Sequence, residues 1–121
     1  MVKNEPTCYR DTPTNRVLDL RRAGADALPA LSLSKDGKIR AGTTEHVHVG
    51  CVEIVYCVHG CVPFVAAGQD CPIYPGQIFI SLPDQPHWMR TVPRGLFIYR
   101  ILFRIPARGE TALGLSPAET K

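Results

Sequence analysis

Proline, glycine and aspartate interrupt the apolar segments of this chain at short intervals. The sequence contains eleven prolines and ten glycines in 121 residues. The runs between these breaks are short and rich in β-branched and aromatic residues, as in CVEIVYCVHG, VPFVA, QIFISL and GLFIYRILFRI. This spacing is typical of an all-β sandwich or barrel, and it disfavours a fold that alternates strands with helices. We therefore predict an all-β fold.

The length of the chain fits a single domain with one core. We expect a barrel over residues 31–106, preceded by an N-terminal arm and lead-in segment over residues 1–30. Within the lead-in, periodicity does not decide between a short helix and a strand for RVLDLRRAGADALPA. The dipeptide Asp36-Gly37 separates LSLS from IRAG and predicts a tight hairpin, because it favours the positive φ angles of a two-residue turn.

The last predicted strand, in GLFIYRILFRI, carries two kinds of side chain in alternation. Large apolar residues such as Phe97 and Ile101 lie on one face, and Arg100 and Arg104 lie on the other. We expect the apolar face to pack against the core and the two arginines to form a solvated face.

Composition limits the classes of function. The formal net charge is only +3 and the lysines and arginines are scattered, so charge predicts no nucleic-acid-binding face. No apolar run approaches the roughly 20 residues that span a bilayer, and the N-terminus lacks a signal-peptide core, so we predict a cytoplasmic protein without membrane contact. The five cysteines include no C-x-x-C pair, which argues against a disulfide framework and against a structural zinc knot.

Three histidines and one glutamate form the strongest functional pattern. His46 and His48 are two residues apart, so on a strand both side chains point to one face. Glu53 follows on the next expected strand, and His87 lies where a later strand ends. Three imidazoles and a carboxylate suit a divalent transition metal such as Zn, Fe, Mn, Ni or Cu, with positions left for water or substrate. The alternative is a core in which these polar groups bond to one another or to water.

Four other side chains are candidates for a ligand pocket: Cys57, Trp88, Tyr56 and Phe79. Cys57 shares the parity of Glu53 and is expected to line the pocket as an apolar group, because the sequence shows nothing that would lower the pKa of its thiol. Trp88 is the best placed aromatic residue because it follows His87, although such residues are most often part of a core. No catalytic residue is assigned.

The spacing of the histidines and the glutamate resembles the two motifs of the cupin superfamily. The pattern H-x-H, four residues, E, six residues, G is seen as His46, His48, Glu53 and Gly60. The second motif is similar to GQIFISLPDQPH, which ends at His87. The resemblance implies a double-stranded β-helix (jelly-roll) barrel in which the three histidines and Glu53 are metal ligands. This chain departs from the pattern in three ways. The glycine that usually precedes the first histidine by six is absent, the second motif is one residue longer than usual, and Pro86 is followed directly by His87 with no glycine in the P-x-G turn.

A narrower resemblance connects EIVYCVHG, YPGQIFISLPDQPHW, GLFIYRILFRIP and LGLSPAET to the N-terminal effector-binding cupin of AraC-type transcription regulators. In those proteins, paired helices for dimerisation and a helix-turn-helix domain follow the barrel. Ser116, Pro117 and Glu119 form a capping box with proline at the first helical position, where such helices would begin. We expect residues 107–121 to be the start of a truncated helical linker, with any nucleic-acid binding in a segment outside this chain.

The favoured hypothesis is a metal-binding sensor domain of an AraC-type regulator. The resemblance implies a small-molecule effector, a sugar or another polar metabolite, and a homodimer. The alternative is a stand-alone metal-dependent cupin enzyme, an oxygenase or an isomerase, in which Glu53 can leave the metal and act as a base. We prefer the sensor because the resemblance extends beyond the metal motif and because no acid or base is clearly placed beside the ligands.

Overall fold

Two β-sheets form the described part of the protein. The structure, a computed structural model, describes residues 3–4, 10–12, 14–24, 27–35 and 37–106. Within these ranges the regular elements are strands, apart from one short 3-10 helix, Leu20–Ala23. None of the described helical residues forms a segment long and apolar enough to cross a membrane. The prediction of an all-β fold is confirmed, and the helix start expected at residues 107–121 lies outside the described residues.

The larger sheet, here called the six-stranded sheet, is antiparallel throughout. With strands numbered along the chain, its members are β2 (Arg10–Thr12), β3 (Asn15–Leu18), β4 (Ala30–Lys35), β6 (Cys51–His59), β9 (Ile78–Ser81) and β11 (Phe97–Arg104). Their order across the sheet is β2-β3-β4-β11-β6-β9, and each neighbouring pair is antiparallel. The long strands β6 and β11 therefore lie next to each other near its middle.

The smaller sheet, here called the five-stranded sheet, contains the second half of the barrel wall. Its members are β1 (Lys3–Asn4), β5 (His46–Val47), β7 (Val62–Ala66), β8 (Gln69–Ile73) and β10 (His87–Met89). The order is β1-β5-β10-β7-β8, with one parallel pair, β1 with β5. β10 was not predicted as a strand, because three residues between loops show no periodicity.

Buried and more exposed residues alternate along β6, and the buried ones face the interior between the two sheets. Cys51, Glu53, Val55 and Cys57 are buried, whereas the residues between them are more exposed. The main hydrophobic core takes members from both sheets, so the sheets face each other across it. These members are Val55, Cys57, Val62, Phe64, Ile73, Val92, Leu96 and Ile98. A smaller cluster of Ala30, Cys51 and Leu102 lies at the other end of β6. Glu53 is thus the polar residue of β6 between two apolar clusters.

The packed face of β11 is the opposite of the one expected from its sequence. Ile98 and Leu102 are buried, while Tyr99 and Ile101 are 42% and 37% exposed. The register with β6 explains this result, because Ile98 pairs with Cys57, and both point inward. Arg100 shares the inward face with Ile98 and Leu102, so the prediction that it belongs to a solvated face was wrong. Alternation shows which residues share a face, but it does not show which face is inside.

LSLS and IRAG do not pair with each other, as the hairpin expected at Asp36-Gly37 would require, and Asp36 itself lies outside the described residues. β4 pairs with β3 and β11 instead, and residues 37–45 contain no strand, although Arg40 forms an isolated bridge with Val92. This segment carries the chain from the six-stranded sheet to the five-stranded sheet. Gly42 lies at a close approach in this segment, since a Cβ atom there would collide with the backbone carbonyl oxygens of Met89 and Arg90. The glycine permits close contact between two backbone segments.

The lead-in segment contains both a strand and a short helix, the two alternatives that its sequence left open. The strand β3 is followed by the 3-10 helix, whose N-cap Asp19 accepts a hydrogen bond from the backbone N–H of Arg21 at 3.1 Å. Gly24 ends the helix with φ of 90°, a conformation that favours glycine. β3 pairs with β2 on one side and with β4 on the other, so this part of the lead-in segment lies within the six-stranded sheet, next to its edge strand.

Candidate metal centre

The three predicted histidine ligands come together in the five-stranded sheet. β5 and β10 pair so that His46 and His87 are directly opposite, and His48 directly follows β5, two residues after His46. All three side chains are buried, and their ligand atoms lie within 4.8 Å of one another. The ring centroids are 4.6–5.1 Å apart. This buried cluster can hold a metal ion.

Hydrogen bonds to backbone carbonyls orient two of the imidazoles. His46 Nδ1 lies 2.7 Å from the carbonyl oxygen of Thr44, and His87 Nδ1 lies 2.9 Å from that of Gln85. A carbonyl oxygen only accepts, so each Nδ1 carries a hydrogen and donates. In a neutral imidazole the other nitrogen, Nε2, then keeps its lone pair. Metal-binding histidines are commonly oriented by a hydrogen bond of this kind.

Glu53 reaches this cluster from the six-stranded sheet. Its carboxylate oxygens lie 3.0 Å from His48 Nε2 and 3.4 Å from His87 Nε2. The guanidinium of Arg100 lies 3.5 Å from Glu53 Oε2. Burial raises the pKa of the Glu53 carboxyl, but the adjacent imidazoles of His48 and His87 and the charge of Arg100 outweigh burial and hold that pKa well below its usual range. Glu53 is therefore an anion in the interior.

The contact between His87 and Glu53 tests whether a metal ion fits here. Nδ1 of His87 already donates to Gln85, so a neutral ring presents a lone pair to a carboxylate oxygen at 3.4 Å. Two acceptors at that distance repel each other unless a cation, either a second proton or a metal ion, lies with them. Three imidazoles and one carboxylate are ligands that zinc, iron, manganese and nickel accept, whereas magnesium and calcium prefer oxygen alone. The residues present fit a transition metal.

A cavity of about 320 Å³ opens beside the cluster. Its lining combines hydroxyl, amide and basic groups with an apolar wall. The lining residues are Thr14, Asn15, Val17, Ser32, Ser34, Lys35, Arg40, Thr43, His46, Val55, Phe64, Met89, Ile98 and Arg100. His46 belongs both to this lining and to the histidine cluster, so a molecule in the cavity lies next to the candidate metal centre.

Sequence reasoning missed the part of the site on β4 and β11. Ser32 and Ser34 lie on the inward face of β4, opposite Arg100 and Ile98 of β11. The alternating serines of LSLS were visible, but without the sheet partners their face was not known. Parity in the sequence also places Arg100 on the same face of β11 as Ile98 and Leu102. Arg100 was not assigned to the interior because the more apolar face of this strand was taken to be the buried one.

The four predicted pocket residues lie in different places. Cys57 is fully buried in the main core, and burial raises the pKa of its thiol, as expected for an apolar group. Phe79 stacks on Phe64 with ring centroids 4.7 Å apart, and Tyr56 is 41% exposed on the outer face. Trp88 is half-buried. None of the four is among the described residues that line the cavity, and their role in ligand binding stays a prediction.

His59 and Arg90 lie near the ends of strands and make contacts outside the histidine cluster. His59 is exposed, and its Nδ1 lies 2.8 Å from the carbonyl oxygen of Gly95, away from the cluster. The guanidinium of Arg90 lies 4.9 Å from the centre of the Trp88 ring and forms an ion pair with Asp70 at 2.9 Å. These contacts belong to the surface of the barrel.

A comparison with protein-family models identifies the family. Residues 28–119 match the model described as the AraC-like ligand binding domain. The chain belongs to this family. A search of the curated proteins finds no match to the AraC-like domain described here.

Solved structures similar to this AraC-like domain confirm its cupin fold. A predicted oxalate decarboxylase from Thermotoga maritima has a TM-score of 0.64 and 20% identity, covering 74% of this chain and 78% of that chain. A cupin protein from Bacteroides fragilis has a TM-score of 0.62 and 14% identity, covering 92% and 97%. Ectoine synthase from P. lautus has a TM-score of 0.55 and 26% identity, covering 92% and 72%.

Proposed function

We propose that this AraC-like domain is the small-molecule-sensing cupin of an AraC-type transcription regulator, with a divalent transition metal beside the ligand. One observation carries the proposal: in a chain of this family, His46 lines a cavity and also belongs to a buried cluster of three histidines. His48, His87 and Glu53 would complete the set that holds the ion. When bound, the ion supplies a Lewis acid that fixes a polar group of the ligand.

The position of the cavity supports a route by which ligand binding is transmitted. Thr14, Asn15 and Val17 belong to the lead-in segment and line the cavity, so a bound molecule contacts that segment directly. A ligand shifts a conformational equilibrium only through a difference in affinity between two states. We propose that the lead-in segment packs differently when the cavity is filled, and that this change reaches the helices and the DNA-binding domain expected after the barrel. A homodimer remains our prediction for the assembly.

Elemental analysis tests the metal centre. We expect purified protein to contain close to one equivalent of zinc, iron, manganese or nickel per chain. A variant with His46→Ala and His87→Ala should purify without the metal. A folded wild-type preparation that contains no transition metal after growth in metal-replete medium contradicts this part of the proposal.

Sequencing of the surrounding coding region tests the regulatory role. We expect the reading frame to continue with two helices and a basic helix-turn-helix region, the arrangement that AraC-type regulators use. A stop codon directly after Lys121 would count against the regulator and in favour of a stand-alone protein.

One comparison favours a second candidate, a metal-dependent enzyme. Ectoine synthase from P. lautus is 26% identical over 92% of this chain. Among the described residues that line the cavity there is no Asp or Glu, so Glu53 is the candidate base. An enzyme converts a bound compound in many-fold molar excess over protein, which mass spectrometry detects. A sensor returns the compound unchanged.

A further inference from the structure

The outer side of the six-stranded sheet carries two rows of mostly apolar side chains that run across five strands. In the register of the sheet, the first row is Leu18, Leu31, Ile101, Ile54 and Ile80. The second row is Arg16, Leu33, Tyr99, Tyr56 and Ile78. The apolar residues of these two rows are here called the outer apolar face, and Arg16 lies at its edge.

Solvent reaches the outer apolar face in the single chain. Ile78 and Ile80 are 57% and 50% exposed, and Tyr56 and Leu18 are 41% and 38% exposed. The strands β6 and β11 are apolar on their inner side as well, where they supply members of the main core. An antiparallel strand with one solvated side normally carries polar residues on that side. A large apolar patch on a sheet that is already packed on its inner side indicates an interaction surface.

The segment that follows the barrel in the sequence has little with which to cover this face. Residues 107–121, ARGETALGLSPAETK, contain two leucines as their only large apolar side chains. Two leucines are too few for rows that cross five strands. The cover therefore has to bring a larger apolar surface of its own.

The width of the outer apolar face favours a sheet as the cover over a single helix. Neighbouring strands lie about 4.8 Å apart, so a row across five strands spans about 19 Å. A helix with its side chains is about 10–12 Å across and covers roughly half of that width. A second sheet, packed face to face at a distance of about 10 Å, covers all of it. This chain itself provides a sheet of the required width and composition.

Area and charge both suit a second copy of the chain. The outer side of six strands, about 29 Å across and 20 Å along the strands, has roughly 600 Å² before the relief of its side chains is counted. A standard interface buries about 800 Å² on each partner, so the sheet is of the right size. Charged partners would lose hydration against uncharged rows, whereas a second copy presents the same uncharged rows.

The two tyrosines lie where an interface would be centred. Tyr56 and Tyr99 are directly opposite each other on β6 and β11, with strands on both sides. Tyrosine is enriched at the centre of interfaces, because it adds a large apolar ring at a small cost in conformational entropy. Arg16 lies at the far end of its row, on β3, so a two-fold axis near the tyrosines keeps the two Arg16 side chains apart.

We propose that the outer apolar face is a homodimer interface, in which two copies pack their six-stranded sheets face to face about a two-fold axis along the boundary between β11 and β6. Tyr56 of each copy then lies over the partner subunit's Tyr99. The inference rests on the homodimer of the proposed function and assigns a surface to it. The cavity lies against the inner side of β4 and β11, so interface and cavity use opposite sides of the same strands.

Sedimentation equilibrium of the purified chain tests the assembly. At about 100 μM, far above the Kd of a stable interface, we expect twice the 13.3 kDa mass of one chain. A monomer at this concentration overturns the inference. If the reading frame continues past Lys121, the longer protein is measured in the same way.

Lysine substitutions test the face. Tyr56→Lys and Ile101→Lys each place two charges per dimer against an apolar partner, and we expect the Kd of the dimer to rise about 100-fold or more. Ile39→Lys is the matched control, because Ile39 is 68% exposed and lies outside the outer apolar face. It should leave the Kd unchanged. If one face variant does not fold, as judged by circular dichroism, the other decides.

The outcomes separate this inference from the proposed function. A dimer whose Kd is the same in wild type and in a folded face variant forms through another surface, which overturns the inference and leaves the homodimer intact. The same result in a longer protein would show that a later segment covers the face within one chain. The metal centre and the regulatory role are judged by metal content and by the coding region, so each can fail alone.

Discussion

The two sheets contribute different chemistry to one interior. The five-stranded sheet and the residue directly after β5 supply three imidazoles, those of His46, His87 and His48, a side-chain type suited to a metal ion. The six-stranded sheet supplies charged and hydroxyl groups, above all Arg100 and Ser34, beside a cavity. Glu53 also comes from the six-stranded sheet, and its carboxylate contacts both sets. In the proposed function, metal binding depends mainly on the first wall and ligand selection mainly on the second, with His46 common to the cluster and the cavity lining.

Removal of one imidazole should have the largest effect. His48→Ala takes away one of three buried nitrogens, and we expect the metal content to fall from near one equivalent to near zero after dialysis against a weak chelator. His59→Ala is the matched control, since His59 is exposed and bonds to Gly95. If both variants retain the same amount of metal, the five-stranded sheet does not hold the ion.

Glu53→Gln tests the residue that joins the two walls. The amide keeps the shape of the side chain but removes the anion that contacts Arg100 and the imidazoles. In metal-free protein we expect the free energy of unfolding to fall by about 3 kcal/mol, because a partly buried cation loses its partner. Metal affinity should fall about 10–100-fold. Urea denaturation and competition with a chelating dye measure the two effects.

The control for this substitution is Glu45→Gln, which changes a partly buried glutamate outside the cluster and should alter neither quantity. A Glu53→Gln variant as stable as wild type would show that the Glu53 carboxylate does not stabilise the contact between the two sheets.

Gly42→Ala tests the crossing between the sheets. A methyl group at this position meets the carbonyl oxygens of Met89 and Arg90, so the backbone segments must separate. We expect destabilisation of about 1–3 kcal/mol, typical of overpacking, with a smaller loss of metal because β10 carries His87. Gly37→Ala, where an added methyl meets no atom within 4 Å, should be nearly neutral. Thermal denaturation of both variants measures this difference in stability. Equal melting temperatures would show that the close approach of residue 42 to Met89 and Arg90 is not needed for stability.

Alanine substitutions at two buried serines should have the smallest effects, and they test whether Ser34 belongs to the binding site. Ser34 and Ser81 are both buried, and neither Oγ has a hydrogen-bond partner among the described residues, but only Ser34 lines the cavity. Each alanine variant should keep or slightly raise the stability of the ligand-free protein, by up to about 1 kcal/mol, because a buried unpaired hydroxyl is removed. Ligand affinity should fall several-fold in Ser34→Ala and stay constant in Ser81→Ala. The same response in both variants would remove Ser34 from the binding site.

The histidines could be predicted from the sequence because their information is local. His46 and His48 share a face by parity, and the strand breaks around His87 place it at an edge. The strand VPFVA is found as β7 with the predicted ends, since clear turn residues bound it. These features depend on neighbours a few residues away.

The wall to which we assign ligand binding could not be predicted from the sequence, because it depends on pairing between distant strands. Arg100 is inside because β11 lies between β4 and β6, and the sequence of β11 alone favours the opposite face. The Asp36-Gly37 hairpin failed for the same reason: β4 pairs with β3 and β11, and tertiary pairing outweighed a local turn preference.

Trp88 is the single tryptophan of the protein, and it follows His87 directly in β10. Consecutive Cα atoms are only about 3.8 Å apart, so the one strong fluorophore lies beside a candidate metal ligand. An ion with a partly filled d shell at His87 quenches indole emission, whereas zinc, whose d shell is full, does not. We therefore expect Trp88 emission to distinguish protein loaded with an open-shell ion from protein loaded with zinc, without unfolding of the barrel.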